Sequence, residues 1–66
     1  MEMEYDFNLL MGYLENRDYR SLRAALAEEN EVDIADFIER LPQEKATVAF
    51  RTLPKELAAE VFSNLP

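Results

Sequence analysis

The feature that most constrains this chain is a repeated dipeptide. Leu-Pro stands at Leu41-Pro42, Leu53-Pro54 and Leu65-Pro66, at a fixed interval of twelve, and these are the only prolines in the sequence. Proline cannot continue a helix, because its ring clashes with the preceding turn and it donates no hydrogen bond. At the first position of a new helix both defects are harmless. Each Leu-Pro is therefore read as a joint between one helix and the next. A unit of about three turns is too short to be stable alone or to hide its own apolar face, so successive units must stack on one another.

The residues between the joints agree. Leu41, Pro42, Glu44, Ala46 and Phe50 align over Leu53, Pro54, Glu56, Ala58 and Phe62, and the preceding stretch from Glu29 to Arg40 keeps the helical apolar pattern without the proline. A single Gly, few β-branched residues and abundant Ala, Leu and Glu favour helix throughout, and no strand is expected. Upstream, Phe7, Leu10, Met11 and Leu14 form one apolar stripe over about Asp6 to Asn16, and Asn16-Arg17 forms a connector. Asp18 is placed to cap a second helix carrying Tyr19, Leu22, Ala25 and Leu26, which should end near Asn30. Asp33 is the expected cap of the third, whose stripe is Ile34, Phe37, Ile38 and Leu41.

The expected architecture is all-α: about five short helices wound as a right-handed superhelix of the armadillo or HEAT kind. Its core should hold Leu10, Leu14, Leu22, Leu26, Ile34, Phe37, Ile38, Leu41, Ala49, Phe50, Leu53, Val61 and Phe62, with Tyr5 exposed near a frayed terminus. Truncating Phe50 to Ala is expected to cost about 3–5 kcal/mol if that residue is buried. Pro66 is suited to opening a helix and has none behind it, so the chain is expected to continue in its parent protein, with an uncovered apolar edge on the last helix.

Composition narrows the function. The 66 residues contain no Cys and no His, which removes disulfides, zinc sites and the usual acid–base catalysts. Ser21, Thr47 and Ser63 have no evident base to activate them, and Gly12 stands alone, so no loop could cradle a phosphate. Catalysis is not expected. The net charge of −7 is concentrated upstream of Arg40 and argues against nucleic acid, which requires a basic footprint. No apolar run is long enough to span a membrane, and the chain reads as soluble.

Carboxylates are the chemically suggestive groups. Glu28, Glu29, Glu31, Asp33, Asp36 and Glu39 crowd the join of the second and third helices, but their spacing matches no calcium loop, and Asp36 is placed to pair with Arg40. Glu56 and Glu60 lie one turn apart on one helix face, a like-charge pair that a hard cation would neutralise; the alternative is a dipole-stabilised Glu56 and a solvated Glu60.

The blocks DIADFIERLP, AFRTLP and AAEVFSNL, with LLMGYLENRDYRSLRAALAEENEV before them, resemble the cytosolic N-terminal domain of the MgtE family of magnesium transporters and channels over about residues 8 to 66. Glu31 departs from the pattern, in which a proline is common. The resemblance implies that residues 1–66 are the first half of an N domain, without the paired CBS domains and membrane pore that follow it in the family. It implies a regulatory, metal-binding part of an ion-transport protein, a homodimer, held at the cytoplasmic side of the membrane. Magnesium between N and CBS domains would favour the closed pore. The glutamate of the A-A-E-V block, here Glu60, would help hold that ion, with Glu56 beside it, and binding by this chain alone would be weak or absent. Its partners would be magnesium and the CBS domain of the same transporter, with no direct membrane insertion of this segment. The runner-up resemblance is to armadillo-like domains of the flagellar motor switch type, which only bind protein.

Overall fold

Short polar side chains, placed one residue ahead of a helical run, determine where the first helices begin. The computed structural model describes residues 5–65, and among them five helices and no strand: α1 (Phe7–Glu15), α2 (Tyr19–Ala27), α3 (Glu31–Glu39), α4 (Gln43–Arg51) and α5 (Lys55–Ser63). Asp6, Asp18 and Asn30 cap α1, α2 and α3, each accepting the backbone N–H three residues on, at 3.0, 3.3 and 2.8 Å. Pro42 and Pro54 take the same place ahead of α4 and α5 with no side-chain bond. They sit at the cap itself, not at the first helical position expected from the sequence. Their near-identical extended conformations (φ −58°, ψ 151° and 149°) aim each proline carbonyl at Ala46 N–H or Ala58 N–H, both at 2.8 Å.

The twelve-residue beat thus extends well beyond the prolines. Every helix is nine residues long, and the five caps at 6, 18, 30, 42 and 54 keep one interval. This regular succession is consistent with the expected superhelical stacking. Two cap assignments differ from expectation. Asn30, read as the end of α2, opens α3. Asp33 is the residue whose N–H Asn30 receives. The helix starts early because Asn30 holds an extended backbone (φ −84°, ψ 164°), while α2 has already closed at Glu28 and Glu29 through bonds to Ala25 and Leu26 carbonyls.

The turn from α1 to α2 is a Schellman closure: Arg17 N–H reaches the Leu14 carbonyl at 3.1 Å and Asp18 N–H the Tyr13 carbonyl at 2.8 Å. Its left-handed residue is Arg17, at φ 59°, where glycine is usual.

α1 packs on α2, while α3 packs on both α4 and α5, and Leu22, Leu26, Ile34, Phe37, Ala49 and Val61 are completely buried. Leu41 and Leu53 of the joints are also buried. Two aromatic expectations fail and a third, Phe50, is met in part. Tyr5 is only 7% exposed: its ring meets Phe37 edge-on at 6.2 Å, and Phe7 meets Phe37 at 5.6 Å, so Tyr5 is held down on α3. Phe50 is half-buried. Phe62 shares the register of Leu14, Leu26, Ile38 and Phe50 yet is 69% exposed, because among the described residues no helix follows α5 to cover it. Pro66 lies outside the described residues.

Candidate metal-binding carboxylates

The inward face of α5 carries Val61, fully buried, and the half-buried Leu57 and Ala58. With those positions turned towards α3, helical geometry turns Glu56, Ala59, Glu60 and Ser63 outward, and all four are exposed. Glu56 stands in the first turn, behind Pro54 and Lys55, where a carboxylate complements the positive end of the helix dipole. Glu60 lies one turn later, and its backbone carbonyl accepts from the Asn64 side-chain amide at 3.0 Å. Neither carboxylate forms an ion pair with a described residue.

Carboxylates one helical turn apart, with Cβ atoms about 5–6 Å apart, can both face one cation. Hard cations such as magnesium keep several waters and take only one or two carboxylates. The pair is not a cage. Among the described residues no group of three or more acidic, His or Cys side chains comes together in a metal-holding arrangement.

The acid-rich join of α2 and α3 turns out to be structural at several points. Asp33 accepts from the Asn30 amide at 3.2 Å. Asp36 pairs with Arg40 as its spacing predicts, with Arg40 Nε donating to Oδ2 at 3.0 Å. The same oxygen accepts a 2.7 Å bond from the Tyr5 hydroxyl, thirty-one residues away in sequence. This contact has no signal at helical spacing and could not be read from the sequence. The Tyr5 bond first, and then Arg40, hold the Asp36 carboxyl below its ordinary value against some desolvation. Burial, and then the neighbouring carboxylate, push the Tyr5 hydroxyl well above its ordinary range.

No described helix is long and apolar enough to cross a membrane. Residues 29–66 match the family described as the MgtE intracellular N domain, a stretch that takes in α3, α4 and α5 with both described Leu-Pro joints. No curated protein and no solved structure matches the chain.

Proposed function

The chain belongs to the family of MgtE intracellular N domains, and from that membership we propose that it is the first part of the magnesium-responsive regulatory domain of a magnesium transporter. The outward face of α5 carries this reading: Glu60, with Glu56 a turn before it, presents unpaired carboxylates to whatever surface approaches. That surface is the CBS domain of the same transporter, which supplies the remaining ligands.

The mechanism follows from charge. Two like charges about 4 Å apart repel by about 1 kcal/mol in bulk water and by about 4 kcal/mol in a partly desolvated interface. Acidic faces therefore separate when cytosolic magnesium is low. Magnesium supplies a divalent, hydrated positive charge, and Glu60 and Glu56 neutralise part of it only when the facing domain closes over them. Because the ion binds the closed arrangement more tightly than the open one, it shifts the population towards the closed pore. The regulatory part itself performs no catalysis, lies at the cytoplasmic side of the membrane and works within a homodimeric parent. The motor-switch alternative has no observation in its favour beyond the stacking of short helices.

The test is pore closure in the parent transporter carrying Glu60→Gln, measured against magnesium concentration. Closure should require more magnesium, with a smaller displacement for Glu56→Gln. Closure at the wild-type concentration in the Glu60→Gln parent would overturn the assignment. In the isolated chain, magnesium chloride should produce at most weak, saturable NMR shifts centred on α5 relative to an ionic-strength-matched sodium chloride control; shifts centred instead on Asp33 and Asp36 would move the site to the α2–α3 join.

A further inference from the structure

Five of the chain's seven Lys and Arg residues line two adjoining grooves, one between α2 and α4 and the other between α4 and the end of α1 with the turn into α2. Arg20, Arg23 and Arg51 surround one of about 630 Å³. Arg17 and Lys45 line the other, of about 250 Å³. Tyr19 and Val48 belong to both walls, so an apolar saddle separates the two sets of cations. In a chain of net charge −7 with 14 acidic residues, this is a marked segregation, for Glu15 and Glu44 are the only acids among the described residues that line either groove.

Among the described residues, none of the five is held in an ion pair. Arg20, Arg23 and Arg51 make no ion pair or side-chain hydrogen bond with a described residue, and Tyr19 is 40% exposed. Arg17 holds its guanidinium at the second groove from a left-handed backbone, a conformation that costs a non-glycine residue about 1 kcal/mol.

We propose that this paired groove docks an extended acidic segment of a protein partner, with carboxylates on either side of an apolar residue seated on Tyr19 and Val48. Guanidinium groups bind carboxylates in a two-bond fork, and Arg and Tyr are the residues that anchor interfaces. The grooves adjoin across Tyr19 and Val48, so one peptide segment can reach both. A glycine-rich phosphate loop is not present, because the chain's single glycine, Gly12, lies inside α1, and Glu15 and Glu44 in the second groove disfavour a compact polyanion. Glu15 and Glu44 disfavour an unbroken acidic run and so set the register of the segment.

The inference is separate from the magnesium reading, since the cations lie on α2, α4 and the α1–α2 turn and the candidate magnesium carboxylates on α5. It is tested by an NMR titration of the whole chain with an oligoglutamate peptide interrupted by one leucine, with oligolysine and inorganic pyrophosphate as comparisons. The peptide should give saturable shifts confined to α2, α4, the end of α1 and the α1–α2 turn. The double variant Arg20→Gln, Arg23→Gln, altering two exposed side chains, should weaken binding about tenfold while leaving the spectrum of α3 and α5 intact. Glu60→Gln should leave binding unchanged. Shifts that are absent or scattered, or affinity unchanged in the double variant, would overturn the proposal. Pyrophosphate shifting the same residues at lower concentration than the peptide would overturn it too, and assign the groove to small phosphate anions.

Discussion

The two ends of this molecule use one repeat and close it differently. α1 and α2 start from carboxylates that accept a backbone N–H, and the turn between them closes by backbone bonds around a left-handed Arg17. α4 and α5 start from prolines that make no cap bond and rely on a fixed φ with a buried leucine ahead. The first device adds bonds to the native state; the second removes freedom from the unfolded chain. An interval of twelve therefore needs only a residue that suits a helix start, and its chemistry can change from unit to unit. The family match begins at residue 29, just ahead of the last side-chain cap, Asn30, and takes in both described proline caps.

The largest effect should come where the two ends meet. Phe37 is fully buried under Tyr5 and Phe7, so Phe37→Ala should cost about 3–5 kcal/mol and leave the chain largely unfolded by circular dichroism. A cooperative melt close to wild type would mean that the ends fold independently. Removing the hydroxyl bond in Tyr5→Phe should cost about 1 kcal/mol in urea unfolding, and no loss would mean that the aromatic contact alone holds Tyr5 on α3.

The same contact has a pH signature. Asp36 has a lowered folded pKa, so its contribution is present above the ordinary aspartate range and lost as pH falls through the folded value. The stability gap between wild type and Asp36→Asn should stay level from neutrality to about pH 4 and close below it. A gap that persists at lower pH would show that charge is not the origin.

Two smaller substitutions compare the start signals directly. Asp18→Ala should lower stability by about 1 kcal/mol, and Pro54→Ala by about 0.4–1 kcal/mol. Equal losses with equal unfolding rates would erase the distinction between bond and restraint. At the bottom of the scale, Phe62→Ala should change stability by less than about 0.5 kcal/mol in thermal unfolding, despite sharing the register of buried residues.

Legibility followed range. Asp18 as a cap, the Asp36–Arg40 pair and the two described Leu-Pro joints were readable because each depends on residues at most four apart, or on proline's own ring. The beat through Asp6, Asp18 and Asn30 was present in the sequence but masked by the change of residue type, and Asn30 was read as an end when it is a start. Glu56 and Glu60 could be placed on one helix face, and α5 leaves that face exposed.

By itself the sequence determined the all-α class, the positions of the proline joints and the family, since local propensity, proline geometry and block spacing are properties of neighbouring residues. Only the tertiary structure decided that Tyr5 is buried on Phe37 and bonded to Asp36, that Phe62 stands in solvent, and that cations from α2, α4 and the turn before α2 share adjoining grooves. The physical reason is common to all three. Burial and charge proximity depend on which helix lies over which, and twelve-residue periodicity specifies the units without specifying what covers each one.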